Sequence, residues 1–344
     1  MRASKKRILV SLKTYKPNIM ILATGGTIAG EAKNKLRTTD YKSGSLSVEL
    51  LIEAIPQLQC IVNIQTKQIA NIDSADMTDL IWLKLAKTIN VLLKDSEIDG
   101  IVITHGTDTM EETAYFLSLV IKSDKPVVLT GAMCPATAMS ADGPRNLYNA
   151  ISLAGNKNAE AKGVMIVMND RIHSAREATK MHTLNVESFQ SPNGGEMGYI
   201  VDGKVFFKTI NLKLHTLQTP FNIERLDSLP KVDIVYSYAN DGSRVAIEAF
   251  LKAGAKGLVI AGSGAGSIHK NQKEYLIELL KENKLQVVKS SRVGCGMVLL
   301  SEEENTQGFV SANDLNPQKA RILLMLSLTQ TNNPRKIAEY FEKF

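Results

Sequence analysis

Short apolar runs alternate along the chain with segments in which apolar residues recur at helical spacing. Runs of strand length lie at 18–23, 61–64, 100–105, 126–130, 163–168, 232–236, 257–261 and 285–288. Helical spacing marks 80–89, 110–120, 244–253, 272–281, 316–328 and 334–344. Because strands and helices alternate in both halves, the pattern predicts an α/β protein with largely parallel sheets.

The chain is longer than one hydrophobic core usually spans, at 344 residues and 37.7 kDa, so two domains are expected. The segment 208–229 contains Pro220, is followed directly by Pro230 and shows no clear period, which is typical of a linker. The predicted division is an N-terminal extension over 1–17, an N-terminal catalytic α/β domain over 18–207, the linker, and a C-terminal α/β domain over 230–344.

Composition indicates an ordinary soluble globular protein, with 44% hydrophobic and 22% charged residues. The formal net charge of +6 is scattered, which argues against a nucleic-acid partner. No run of about 18 apolar residues is present, so no membrane association is expected. The N-terminal apolar stretch is shorter than a secretory signal needs, and the prediction is a cytoplasmic protein. A periplasmic location stays open if a signal peptide is missing from this sequence.

Cysteines and histidines give no sign of a bound metal. The three cysteines lie far apart, at Cys60, Cys134 and Cys295, so no disulfide framework is implied. The five histidines show no paired ligand spacing. We therefore expect neither a metal site nor a cofactor.

Two threonines follow apolar runs in short glycine-flanked turns. Thr27 follows the glycine pair Gly25–Gly26, and Thr107 follows Gly106 and precedes a predicted helix. Ligands bind at the carboxyl edge of open α/β sheets, and glycines let the backbone approach a small ligand. Taken alone, each motif also fits a bland interpretation: a tight turn in the first, a helix N-cap in the second.

With both motifs in place, the chain resembles the bacterial type II L-asparaginases and the related glutaminase-asparaginases. The resemblance continues in family order through 71–77, 104–113, 125–133, 139–149, 167–170, 290–293 and 316–321. It implies a larger, mostly parallel N-terminal sheet with flanking helices and a smaller C-terminal α/β domain. It also implies a homotetramer of close dimers with shared active sites, which hydrolyses L-asparagine to L-aspartate and ammonia without a cofactor.

The resemblance implies five catalytic residues. Thr27 is the nucleophile, Tyr41 assists it from the following flap, and a second group consists of Thr107, Asp108 and Lys180. A threonine hydroxyl needs a partner that takes its proton. Tyr41 and the pair of Thr107 with Lys180 both remain open for that role. Lys180 either titrates nearer neutrality or stays charged beside Asp108 and orients Thr107.

The resemblance also implies a substrate site, with Ser74 for the α-carboxylate and Asp108 for the α-amino group. Its predicted members are Ser74, Thr107, Asp108, Ala132, Ser267 and, from a neighbouring subunit, Glu303. The run Glu302–Glu304 leaves the last position uncertain by one residue, and without the family this run predicts a solvated loop. Relatives carry other residues at Ala75 and Ser267, which leaves affinity and the choice between asparagine and glutamine open.

Other functions fit the sequence less well. A nucleotide-binding protein lacks its phosphate-loop spacing here, and a serine hydrolase lacks its G-x-S-x-G elbow, which leaves His105 a structural residue. An inactive amino-acid-binding protein would require loss of the nucleophile. A glutaminase-asparaginase with glutamine as a main substrate is the alternative within the same chemistry.

Overall fold

The computed structural model describes residues 15–32, 34, 36, 41–42 and 44–344. The strands in this part of the chain are β1 (Asn18–Gly25), β2 (Glu31–Ala32), β3 (Tyr41–Lys42), β4 (Asn63–Ile72), β5 (Gly100–Thr104), β6 (Val127–Thr130), β7 (Val164–Met168), β8 (Arg171–Ser174), β9 (Thr179–Lys180), β10 (Phe189–Gln190), β11 (Gly198–Val201), β12 (Lys204–Phe207), β13 (Val232–Tyr236), β14 (Gly257–Gly262), β15 (Gln286–Ser291) and β16 (Val310–Ser311). The α-helices are α1 (Val48–Glu53), α2 (Leu58–Ile61), α3 (Asp79–Leu92), α4 (Met110–Val120), α5 (Gly143–Ala154), α6 (Val245–Lys252), α7 (Lys270–Lys281), α8 (Glu302–Gln307), α9 (Pro317–Leu328) and α10 (Pro334–Lys343).

The larger sheet has eight strands in the order β12-β11-β8-β7-β6-β5-β1-β4. Strands β4, β1, β5, β6 and β7 run parallel, and β8, β11 and β12 complete the sheet in antiparallel fashion. The chain passes from β1 to β4 on one side and then to β5 on the other. The strand order therefore reverses at β1, and the crevice at such a reversal is where open α/β sheets bind ligands.

The smaller sheet has four parallel strands in the order β13-β14-β15-β16. Helices α6 and α7 cover one face, where Ile247, Leu276 and Leu279 belong to a buried cluster with β14 and β15. Helix α9 packs on the opposite face and also on α4 of the larger sheet. One continuous core thus joins α3 and α4 to α9, α10 and the inner face of the smaller sheet.

The remaining face of the larger sheet carries a separate core. Helices α1, α2 and α5 bury their apolar residues there against β1, β5, β6 and β7. The order of layers is therefore helices, larger sheet, helices shared by both halves, smaller sheet, helices. Within the described residues, no helix combines the length and the apolar character that a membrane crossing needs.

The predicted fold class is confirmed, and most predicted elements lie where the pattern places them. The prediction of a short strand over 61–64 was wrong, because α2 ends at Ile61 and the ten-residue β4 begins at Asn63. Strand β4 lies at the sheet edge with alternating exposed polar residues, so its apolar signal is weak. The pattern did not predict α5 or the antiparallel strands. Residues 1–14 of the predicted extension lie outside the described residues, and the division at 207 and 230 stays a prediction.

Candidate active site

Two glycines bring the two threonine loops into contact at the reversal point of the larger sheet. Gly26 has φ +81°, and a Cβ there would collide with the backbone N and Cα of Gly106. A Cβ on Gly106 would in turn lie 2.7 Å from Ser74 Oγ. Only residues without side chains permit this approach. The loops after β1, β4 and β5 therefore meet at one point.

Thr27 starts a single 3-10 turn directly after the glycine pair and is 7% exposed. Its Oγ1 lies 2.6 Å from the hydroxyl of Tyr41. Tyr41 belongs to the small ribbon in which β3 pairs with β2, and its ring lies over Gly30, where a Cβ would be 2.8 Å from the ring. The turn and the ribbon thus fix a pair of hydroxyls in hydrogen-bonding contact.

A chain of buried hydrogen bonds that involves α3 and α4 holds the loop that carries Thr107. His105 Nδ1 donates to the carbonyl of Gly106 at 2.7 Å, and its Nε2 accepts from Thr113 Oγ1 at 2.9 Å. Trp82 Nε1 donates to the same hydroxyl at 2.8 Å. Burial lowers the pKa of His105 to about 4, so the ring is neutral at pH 7. These contacts agree with the expected structural role of His105.

Ser74 links the loop after β4 to the loop after β5. Its Oγ accepts from the backbone N–H of Asp108 at 3.2 Å, and its carbonyl accepts from Thr109 Oγ1 at 2.7 Å. Asp73 caps the short turn by accepting from the backbone N–H of Ala75. Ser74 is buried, whereas the carboxylate of Asp108 is 63% exposed and faces solvent.

Lys180 comes from a more distant part of the chain and completes the second group. Its Nζ donates to Thr107 Oγ1 at 2.9 Å and forms an ion pair with Asp108 Oδ1 at 2.5 Å. Its side chain is 16% exposed. The structure therefore brings together Thr107, Asp108 and Lys180, and Ser74 joins them through the Asp108 backbone.

The other predicted substrate residues lie apart from these contacts. Ala132 is 1% exposed and follows Gly131, where a Cβ would lie 3.3 Å from the methyl group of Thr107. Ser267 is exposed in a turn closed by the 2.8 Å bond from its N–H to the carbonyl of Ser263. Glu303 is exposed on α8, where it accepts from Gln307 Nε2. Ser267 and Glu303 belong to the part that carries the smaller sheet.

The residues 302–304 form the first turn of a helix, which corrects the expected solvated loop. Ser301 and Glu304 make a capping box, and Glu304 is buried with ion pairs to Lys273 and Lys289 at 2.9 Å. The spacing of serine and glutamate was a signal for this turn. The run of charge concealed it because acidic runs are usually solvated.

Sequence reasoning missed Glu111, which contacts the Lys180 segment directly. Its Oε2 accepts from the backbone N–H of Lys180 at 2.9 Å, and it is 5% exposed. The only signal was its place in the first turn of a helix, where an acidic residue is usual. Over the part of the chain described here, no group of three or more His, Cys, Asp or Glu side chains is placed to hold a metal ion.

Comparison with known proteins matches each half of the chain to the model of a known domain. The model of the asparaginase N-terminal domain matches residues 18–212, and that of the glutaminase/asparaginase C-terminal domain matches residues 231–341. L-asparaginase 2 of Bacillus subtilis is 51% identical over 95% of this chain and 87% of its own length. Glutaminase-asparaginase of Pseudomonas fluorescens is 43% identical over 97% of this chain and 92% of its own length.

A solved structure shows the same fold. The crystal structure of a probable cytoplasmic L-asparaginase from Campylobacter jejuni has a TM-score of 0.94 and 60% sequence identity, and it covers 96% of this chain and 100% of its own. The two domain matches and these relatives extend over nearly the whole sequence. The chain therefore belongs to the asparaginase and glutaminase family, as its threonine motifs indicated.

Proposed function

We propose that the protein hydrolyses the side-chain amide of L-asparagine to L-aspartate and ammonia through an ester on Thr27. The observation that carries this proposal is the 2.6 Å contact between Thr27 Oγ1 and the Tyr41 hydroxyl. A threonine hydroxyl attacks an amide only when a neighbouring group takes its proton, and Tyr41 is in direct reach. The family relatives named L-asparaginase support the choice of substrate.

In the proposed reaction, Thr27 Oγ1 attacks the side-chain carbonyl carbon while its proton passes through Tyr41 to the amide nitrogen. The carbon–nitrogen bond breaks, ammonia leaves, and the aspartyl group stays as an ester on Thr27. Water then attacks the ester. Its hydroxyl becomes part of the product carboxyl group, and its other proton returns to Thr27.

We assign the second group to substrate positioning and to the water step. Asp108 is the exposed carboxylate of the site and suits the α-amino group of an amino acid, while the ammonium of Lys180 holds Asp108 and Thr107 in place. Ser74 lies beside the Asp108 backbone, where its hydroxyl suits the α-carboxylate. We place Ala132 at the edge of this site, because the residue before it, Gly131, lies against the methyl group of Thr107.

The test is ammonia release from L-asparagine by wild type, Thr27→Ala and Thr27→Ser. We expect the alanine variant to lose about 10³-fold or more in kcat and the serine variant to retain measurable turnover, because only serine keeps a hydroxyl. Rapid quenching and mass spectrometry should find the aspartyl adduct on residue 27. An adduct on another residue, or asparagine binding by wild type without ammonia release, contradicts the proposal.

Glutamine is the second substrate to assay, because relatives named glutaminase-asparaginase are 43–44% identical to this chain. The relatives named L-asparaginase 2 are more similar, at 48–51%, which favours asparagine as the main substrate. One methylene changes the free energy of binding by about 1–3 kcal/mol, so kcat/KM for the two amides should differ by about tenfold or more. Equal values would make the protein a glutaminase-asparaginase.

We further propose a homotetramer built from close dimers, in which Ser267 and Glu303 serve a neighbouring subunit's site. Exposed apolar side chains near Lys180 support an interface, since Met181 and Leu184 are 44% and 64% exposed and Met181 lies against Gly294 of the other half. Sedimentation analysis should give a mass near four times 37.7 kDa. A monomer with full activity contradicts this proposal.

We propose that the protein works in the cytoplasm. The three cysteines are free, and two of them are exposed, which suits a reducing compartment. The Campylobacter relative is named probable cytoplasmic, whereas a Haemophilus influenzae relative with 50% identity is named periplasmic. Fractionation of producing cells should recover the activity with cytoplasmic markers.

A further inference from the structure

The strand that carries Lys180 is poorly supported by its own sheet. Among the strands of the described residues, the two-residue β9 pairs with β10 alone, outside the larger sheet. An isolated pair of such short strands is marginal in water. The position of the Lys180 ammonium must therefore be fixed by other contacts.

The first turn of α9 supplies them. Asn316 caps this helix, with Oδ1 accepting from the backbone N–H of Lys319 at 3.0 Å. Its Nδ2 faces the other way and donates to Glu111 Oε1 at 3.2 Å and to Thr179 Oγ1 at 3.3 Å. One side chain thus ends the helix and also holds the residue before Lys180.

Lys319 holds two backbone carbonyls that precede Lys180 in the same segment. It is 2% exposed, and its Nζ donates to the carbonyl of Arg176 at 2.6 Å and to that of Ala178 at 2.5 Å. Burial lowers the pKa of Lys319 to about 8, although the carboxylates of Glu111 and Glu177 oppose this. A buried ammonium is costly unless it is hydrogen-bonded, so these carbonyls are strongly held.

Glu111 connects both parts of the second catalytic group. It lies in the first turn of α4, three residues after Asp108, and its two carboxylate oxygens accept from the Lys180 backbone and from Asn316. Residues 176, 178, 179 and 180 are therefore all held by Glu111 or by the start of α9. Thr107 and Asp108 have their own anchors in the loop around Gly106 and Ser74.

We propose that Asn316, Lys319 and Glu111 are positioning residues for Lys180, through which the half with the smaller sheet sets the lysine against Thr107 and Asp108. This inference rests on the proposed function. A displacement of about 1 Å in a reacting constellation costs on the order of 10²-fold in rate. Loss of these contacts moves the lysine, while the backbone of the loop that carries Thr107 and Asp108 keeps its own anchors, so kcat falls more than KM rises.

The test uses Asn316→Ser and Lys319→Met. Serine still caps a helix but is too short to reach Glu111, so the first variant separates capping from positioning. Asn333→Ser is its matched control, because Asn333 caps α10. Lys122→Met is the control for Lys319, because Lys122 Nζ also donates to two backbone carbonyls, those of Thr216 and Thr219.

We expect kcat to fall about 10- to 100-fold in Asn316→Ser and Lys319→Met with KM changed by less than about threefold, and kcat to stay within about twofold in both controls. Hydrogen exchange of the peptide covering 176–182 should be about tenfold faster in Asn316→Ser than in Asn333→Ser. A merely structural role lowers the melting temperature but leaves kcat per folded molecule and the KM unchanged, and this result overturns the proposal.

The two proposals fail differently. If wild type releases no ammonia, the proposed function falls, and the exchange of 176–182 still decides whether α9 holds the segment. If wild type is active but Asn316→Ser keeps full kcat, the positioning role is wrong whether or not exchange accelerates. If Lys319→Met does not fold, Asn316→Ser decides the outcome, because its helix cap is retained.

Discussion

Gly26 is the residue at which the two threonine loops meet, and its replacement tests that contact. In Gly26→Ala the Cβ collides with the Gly106 backbone, and the positive φ adds strain of about 1–3 kcal/mol. Gly195 is the matched control, since its φ is +75° and a Cβ there meets nothing within 4 Å. We expect Gly195→Ala to lose only the strain, and Gly26→Ala to lose more stability and about 10²-fold in kcat.

Urea unfolding and ammonia release measure both effects. Equal losses of unfolding free energy in the two alanine variants would show that the loops separate without cost. Retained activity in Gly26→Ala would show that their contact is not needed for turnover.

Tyr41 tests the proton path at the same scale. Tyr41→Phe keeps the ring over Gly30 but removes the hydroxyl 2.6 Å from Thr27 Oγ1, so kcat should fall about 10²- to 10⁴-fold with little change in the melting temperature. Tyr15→Phe, which removes a hydroxyl bound to Asp99, is the control and should keep full activity. Unchanged turnover in Tyr41→Phe would return the base role to Thr107 and Lys180.

The candidate site residues differ in how well the sequence alone predicts them. Thr27 and Thr107 could be predicted as site residues from the glycines around them and from their place after strands. Tyr41, Ser74 and Lys180 could be predicted only from the family resemblance, because a lone tyrosine or lysine carries no local signal. Lys319 could not be predicted as a buried residue, because it lies at the polar start of α9 with Gln318 and Arg321, where a lysine is usually exposed.

At the scale of the element, α8 gives a pH-dependent prediction through Glu304. Burial by itself raises the pKa of its carboxyl, but hydrogen bonds from Lys273 and Lys289 outweigh this and lower the pKa to about 2. The ordinary value is 4.5, so the contribution to stability is present above pH 4.5 and is lost as the pH falls toward 2. The shift corresponds to about 3 kcal/mol.

Glu304→Gln should therefore be less stable than wild type at pH 7 by about 3 kcal/mol, and the difference should shrink as the pH falls below 4.5. Thermal unfolding between pH 2 and 7 measures it. Glu302→Gln is the control, because Glu302 is an exposed carboxylate in the first turn of the same helix. A constant difference across this pH range would show that the charge of Glu304 is not its source.

Buried elements with a strong apolar signal were predicted well, because β5 carries three consecutive apolar residues and α4 repeats at helical spacing. Edge strand β4 and helix α8 were not predicted well. Their stability comes from side-chain contacts with distant parts of the chain, which a local pattern does not reveal. In α8 the deciding contact is the pair of lysines that approach Glu304 from α7 and β15.

At the scale of the whole molecule, α9 couples the two sheets. Leu324 on α9 and Leu276 on α7 are both 0% exposed, but Leu324 lies in the core shared by both halves and Leu276 in the outer core of the smaller sheet. Replacement of either leucine by alanine should lower the free energy of unfolding by about 2–5 kcal/mol. Leu324→Ala should speed hydrogen exchange in both sheets, and Leu276→Ala only in the smaller one.

Hydrogen exchange that becomes faster only in the smaller sheet in both variants would show that the two halves open independently.

The sequence indicated two halves from chain length and from the irregular segment between them. The sequence could not show that a helix of the second half supports the first. The apolar pattern of α9 indicates that this helix is buried, but it does not indicate which elements pack against it.

The contacts of α9 with residues 176–180 also bear on when activity appears during biosynthesis. Thr27, Thr107 and the strands between them leave the ribosome well before residues 316–319, which must still pass through the exit tunnel. A nascent chain that has already folded its larger sheet therefore still lacks Asn316 and Lys319, two of the three groups that position Lys180. We therefore expect amide hydrolysis to begin only after α9 has left the exit tunnel.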